Sequence, residues 1–125
     1  MEQKSNIMID GIEYIRKDRI KENTKPTMVT GKEYCIVRTY SAGVFAGYIN
    51  RKTKGKENTI YNARRIWYWT GAASLSQLAN NGTKTPDTCK FSQINAEIDL
   101  KEIIEIIPCT EKAKKSIESV KIWQN

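Results

Sequence analysis

KEYCIVRTYSAGVFAGYINR, residues 32–51, decides the fold. Over Lys32–Tyr40, Tyr34, Ile36, Arg38 and Tyr40 fall on one face and Cys35, Val37 and Thr39 on the other, the two-residue period of a strand. Ser41, Ala42 and Gly43 are small residues suited to a tight turn. Val44–Arg51 returns as a second strand, and Gly47 inside it marks a bulge or a close backbone approach. Two strands joined by so short a turn are antiparallel neighbours.

Working outward, Lys52–Lys56 supplies the next turn and Glu57–Asn62 reads as a third strand. Arg65–Thr70 continues as an extended, aromatic-dense segment. Strand alternation there places Arg65, Trp67 and Trp69 on one face and Arg64, Ile66 and Tyr68 on the other. Ser74-Leu75-Ser76-Gln77 is a capping box that starts a short helix, and Asn80-Asn81-Gly82 ends it. Short strands are expected at Lys90–Gln93 and Glu97–Leu100. Glu102–Ile107 carries Ile104 and Ile106 on one face and Ile103 and Ile107 on the other, which predicts a central strand stopped by Pro108. Thr110 caps a final helix over Glu111–Ser119, with Ala113, Ile117 and Val120 at helical spacing, and Val120–Trp123 reads as a last short strand. Before the first strand, Met8–Ile15 centres on Asp10-Gly11, a hairpin signature, and a polar linker, RKDRIKENTKPT, follows. The expected organisation is an N-terminal hairpin arm and linker over residues 1–28 and a single β-rich domain over 29–125. The fold class is α+β, mainly antiparallel β: a small barrel or roll with two short helices.

Composition narrows the function. In 125 residues there is no histidine, which removes Ser–His and Cys–His catalytic pairs and every histidine metal site. No apolar run approaches the roughly 20 residues of a membrane span. The opening MEQKSNIMID has no apolar signal core, so a cytoplasmic protein is expected. Cys35, Cys89 and Cys109 form no CxxC pair and read as reduced, buried thiols. No catalytic residue, metal or cofactor is expected.

The net charge of +7 is concentrated in one place. Residues 35–70 hold Arg38, Arg51, Lys52, Lys54, Lys56, Arg64 and Arg65 against Glu57 alone, while residues 71–125 hold equal numbers of cations and anions. So local an excess suggests an anionic partner. Lys52, Lys54 and Lys56 fit a solvated hairpin tip; Arg38, Arg64 and Arg65 adjoin aromatic or glycine-rich sequence. Two segments are therefore candidate ligand-binding sites. In the first, Arg38 and Tyr40 precede the small turn Ser41-Ala42-Gly43, whose backbone can approach an anion. An ordinary hairpin explains the same residues. In the second, Arg64, Arg65, Trp67 and Trp69 combine cations with stacking surfaces, as proteins that grip phosphates and bases do. The plainer reading places both tryptophans in the core, and one in the core and one in a pocket is the intermediate expectation.

VRTYSAGVFAGY (37–48), NARRIWYWTGAASLSQLA (62–79) and EIIEIIPCTEKA (102–113) together resemble a family of small proteins from tailed phages and prophages, over roughly residues 32–123. The resemblance implies an intracellular protein made during infection. Small phage proteins with basic aromatic pockets and no catalytic groups include sponges that sequester the cyclic nucleotides of bacterial anti-phage systems such as CBASS and Thoeris. The expected function is accordingly a non-catalytic binding protein for a cyclic nucleotide, with a homo-oligomer able to surround a large ligand. The alternative is a small DNA- or RNA-binding protein using the same basic face. A compact charge favours a pocket; nucleic acid needs a long basic track. An enzyme, such as a phosphodiesterase using Tyr or Lys chemistry, is the third reading, and a structural role in the virion the fourth.

Overall fold

The computed structural model describes residues 28–29 and 31–124, with side chains from Gly31 onward. The expected hairpin at Met8–Ile15 lies outside the described residues. Among the described residues, seven strands form one antiparallel sheet: β1 (Met28–Val29), β2 (Lys32–Thr39), β3 (Val44–Ile49), β4 (Asn58–Tyr68), β5 (Lys90–Phe91), β6 (Asn95–Leu100) and β7 (Ile103–Pro108). Helix α1 spans Leu75–Asn81 and α2 spans Glu111–Ser119. Strands β2, β3 and β4 run side by side; β1 and β7 pair with the outer edge of β2, β5 and β6 with the outer edge of β4. No helix among the described residues is long and apolar enough to cross a membrane.

Only Lys101 and Glu102 join β6 to β7, although the two strands sit on opposite edges of the sheet. Three Cα steps reach at most about 11 Å. Five strands laid flat would hold those edges about 19 Å apart. The sheet therefore curls until its edges approach. Glu102, at φ 52°, makes the sharp corner, and its carbonyl accepts from the Tyr40 N–H at 3.0 Å. Because β6 and β7 do not pair, the result is an open roll and not a barrel.

The curl explains why β2 is apolar on both faces. Cys35 and Val37 point into the roll with Phe45, Ile49, Ile60 and Leu100. Tyr34 and Ile36 point outward, where α1 and α2 cover them with Leu78, Ala79, Ala113 and Ile117. Each fully buried Ile, Leu or Phe contributes about 1.5–3 kcal/mol by leaving water. The helices begin where the capping residues demand. Ser74 Oγ accepts from the Gln77 N–H at 3.1 Å, and Thr110 Oγ1 accepts from the Ala113 N–H at 3.1 Å. Gln77 Oε1 accepts from the Ala73 N–H at 2.7 Å, one residue before the cap N–H that a capping box engages.

Three expectations need correction, each for a local reason. Glu57–Asn62 and its extended continuation Arg65–Thr70 form a single strand, β4, which runs unbroken through Ala63 and Arg64, bends at Asn62 (φ 49°) and stops at Tyr68, short of Thr70. This bulge faces Gly47, where a Cβ would lie 2.8 Å from the Tyr61 carbonyl oxygen, so only glycine admits the close approach. The isoleucine-rich strand β7 is an edge strand and not a central one. A register shift at its pairing with Arg38 and Thr39 turns Ile103 and Ile106 into the roll and leaves Ile104 about half exposed. Val120–Trp123 forms no strand; a single bridge from Ile122 to Phe91 takes its place.

Candidate functional site

The predicted site residues do not converge. Arg38 is exposed, and its Nε donates to Glu105 Oε1 at 3.0 Å across the β2–β7 pair. Tyr40 is 77% exposed. In the following turn the Ala42 N–H donates to Thr39 Oγ1 at 3.0 Å, and Thr39 closes back on the Gly43 carbonyl at 2.9 Å. Ser41, Ala42 and Gly43 thus belong to a hairpin closed on itself.

Arg64 and Arg65 are separated by the sheet. Alternation beyond the Asn62 bulge turns Arg65 toward the roll side, where its guanidinium lies 4.7 Å from the Phe45 ring and 5.2 Å from the Trp67 ring. Trp67 is 56% exposed. Trp69 does not share its face: the β4–β5 register shifts between Ile66 and Tyr68, and Trp69 packs against the helix-covered core. One tryptophan is therefore a surface residue beside an arginine and the other is core packing.

Arg64 points under the end of α2 and is 2% exposed. Its Nε donates to the Ser92 carbonyl at 2.8 Å and its Nη1 to the Ile117 carbonyl at 2.9 Å, with the Phe91 ring 5.4 Å away. Helix α2 has no basic residue in its own last turn, and Arg64 supplies that charge from the sheet. Burial lowers the Arg64 pKa, against the pull of Tyr34 and Glu118. No carboxylate among the described residues forms an ion pair with it. Nε and Nη1 each make one hydrogen bond, and Arg64 also contributes to the lining of a pocket. The Tyr34 hydroxyl, buried on the same face, has no hydrogen-bond partner among the described residues.

The pocket over Arg64 is open, about 570 Å³ in volume, and lined by Gln93 and Ile94 after β5, by Glu118 and Val120 at the end of α2, and by Lys121 and Ile122. The last two are held in place by the Ile122–Phe91 bridge and by the Trp123 N–H donating to the Phe91 carbonyl at 2.9 Å. Ile94 and Ile122 are about half exposed at its rim. Beside it, the Lys90 ammonium lies 5.7 Å from the Tyr68 ring and 5.3 Å from the Trp123 ring. Of the residues singled out in sequence, only Arg64 lines this pocket. A signal for the others exists: Ile94 stands alone among polar residues, and Val120-Lys121-Ile122-Trp123 carries apolar groups past the helix end.

The cysteines are packing residues. All three are free and buried, and burial pushes the Cys35 and Cys109 thiols up to about 12, far from thiolate chemistry at neutral pH. Among the described residues no group of three or more His, Cys, Asp or Glu is placed to hold a metal ion.

Residues 32–117 match the model of a family described as a domain of unknown function, DUF6948. The chain belongs to that family. No curated protein and no solved structure matches it. The matched stretch of DUF6948 runs from the start of β2 into α2 and includes Arg64 with both carbonyls it binds. The pocket wall from Glu118 to Ile122 follows it in the chain.

Proposed function

We propose that this protein is a non-catalytic binding protein for a small anionic ligand of the nucleotide class, seated in the pocket over Arg64. The observation that carries the reading is the buried guanidinium of Arg64, without an ion-pair partner among the described residues, in a residue that lines an open pocket. A buried charge is costly unless it is compensated. Two carbonyls and a ring compensate it partly, and a ligand phosphate would complete the set with Lys121. Ile94, Val120 and Ile122 offer the apolar contact a base needs. The nucleic-acid alternative has less support, because Arg38 and Arg51 are engaged with Glu105 and Glu33 and break a long basic track.

With the phage-like phrases of the sequence, this chemistry favours a sponge that acts in the host cytoplasm and holds a cyclic nucleotide signal without turning it over. The test is calorimetric titration of the full chain with adenosine and guanosine monophosphates and with cyclic di- and trinucleotides. Binding is expected, weakened about tenfold or more in Lys121→Ala, the scale of a hydrogen bond to a charged group. Ligand released by heat denaturation is expected back intact. Absence of binding by every nucleotide overturns the reading; hydrolysed product in excess over protein makes the chain an enzyme.

A further inference from the structure

Arg64 and Glu118 line the same pocket, carry opposite charges and feel each other, since Glu118 opposes the loss of the Arg64 proton. Yet they form no ion pair. Arg64 is bonded to the Ile117 carbonyl, the residue just before Glu118, so the two groups start from adjacent points of α2. The Glu118 carboxylate turns instead to Lys114, one helical turn back, whose Nζ is 3.5 Å from Oε1. Lys114 is itself partly buried, its Nζ 5.9 Å from the Tyr48 ring, which holds it on that side of the carboxylate. A carboxylate has about four acceptor sites, and one lysine contact leaves most of them open. The pocket therefore offers cations from Arg64 and Lys121, an acceptor from Glu118 and apolar contacts from Ile94, Val120 and Ile122.

We infer that Glu118 makes this pocket selective for a guanine base, its two carboxylate oxygens accepting from the N1–H and the 2-amino group while Arg64 and Lys121 take the phosphate. The inference rests on reading the pocket as a nucleotide site. Its chemistry is that of acceptor and donor counts. Guanine alone among the common bases presents two adjacent N–H donors on its Watson–Crick edge, at the spacing of a carboxylate. Adenine and cytosine each present one amino group beside a ring nitrogen acceptor, whose lone pair a carboxylate repels. Uracil presents one N–H between two carbonyl oxygens. Bidentate, charge-assisted pairs are the strong ones, and a site built to make them rejects analogues that lack a donor. A pocket of about 570 Å³ lies within the range of small-ligand sites.

The experiment is calorimetric titration of the full chain with GMP, IMP, AMP, CMP and UMP. GMP is expected to bind at least about tenfold more tightly than AMP, with IMP, which keeps N1–H and lacks the 2-amino group, between them. This comparison uses the unmodified protein and so does not depend on any variant folding. In Glu118→Gln the GMP preference is expected to fall to about twofold while AMP affinity holds or rises, since the amide can donate to the adenine N1. Lys121→Ala is expected to weaken all five alike. Equal binding of GMP and AMP by the unmodified chain overturns the role of Glu118 and leaves the nucleotide reading standing. A GMP preference that survives in Glu118→Gln overturns it as well. No binding by any of the five overturns both.

Discussion

Arg64 and Arg65 are consecutive in β4 and have opposite fates. Arg64 is buried under α2, with Nε and Nη1 bonded to two backbone carbonyls, one of them in the last turn of the helix. Arg65 stands on the roll side, over the rings of Phe45 and the exposed Trp67, and among the described residues its Nε has no hydrogen-bond partner. The same residue type thus joins two elements on one face and shields an aromatic surface on the other. A strand sends neighbours to opposite faces. What each arginine then does is decided by the cover on its face: a helix end rich in carbonyls for Arg64, rings for Arg65.

The sharpest way to break this contrast is Arg64→Ala. It removes both hydrogen bonds and opens a hole beside the Ser92 and Ile117 carbonyls where the guanidinium was. A hydrogen bond to a charged group is worth about 1.5–3 kcal/mol, and the Ile117 carbonyl keeps the Val120 N–H at 3.3 Å, so a loss of about 3 kcal/mol is expected in urea denaturation. A loss below about 1 kcal/mol would mean that water replaces the guanidinium freely and that Arg64 does not hold α2 to the sheet.

The bulge that sends the two arginines to their faces is tested next. In Gly47→Ala the new Cβ would meet the Tyr61 carbonyl oxygen at 2.8 Å and Ile60 Cγ1 at 2.9 Å. The first contact is backbone and cannot swing away. A loss of about 2 kcal/mol is expected, in the range of overpacked cores, again from urea denaturation. Arg65→Ala is expected to cost less, about 1 kcal/mol, for a cation–π contact and the packing of the side-chain stem. If Arg65→Ala proves as costly as Arg64→Ala, the two faces are equally dependent on their arginines and the contrast fails.

Much of this fold is legible in the sequence because it is written in local chemistry. The period of two at Tyr34–Thr39, the caps at Ser74 and Thr110 and the glycine at position 47 all act within a few residues, and the structure has each of them where expected. The departures arise from tertiary geometry. Ile103–Ile107 reads as a central strand because both faces are apolar, but an edge strand of a curled sheet also needs both faces apolar, one toward the roll and one toward the helices. The shared face expected for Arg65, Trp67 and Trp69 is lost at Trp69 because of a register shift that no pattern of residue types announces. The candidate site follows the same rule. Arg64 is conspicuous in sequence, but Ile94, Glu118, Lys121 and Ile122 are brought to it only by the packing of α2 and the chain after it.

The smallest effect compares the two cores through their own thiols. Cys35 lies inside the roll and Cys109 in the helix-covered core, both fully buried. Burial holds each thiol at about 12 against an ordinary 9.0. As pH rises past 9.0 the unfolded chain gives up thiol protons that the folded chain keeps, so stability falls with pH and continues to fall until the folded thiols ionise near 12. Between pH 8 and 9.5 each thiol is expected to remove about 0.8 kcal/mol. Cys35→Ala and Cys109→Ala should each shrink the alkaline loss by that amount, and the double variant by twice as much, in urea denaturation at the two pH values. Any cavity left by the missing sulfur is common to both pH values and cancels in the difference. Tyr34 and Tyr48, also raised by burial, add a loss of the same sign that all the variants share. Equal shifts for the two cysteines would show that both faces stay closed until the whole domain unfolds. A shift for Cys35→Ala alone would show that α1 and α2 lift from the sheet first, exposing Cys109 to solvent while the roll remains intact.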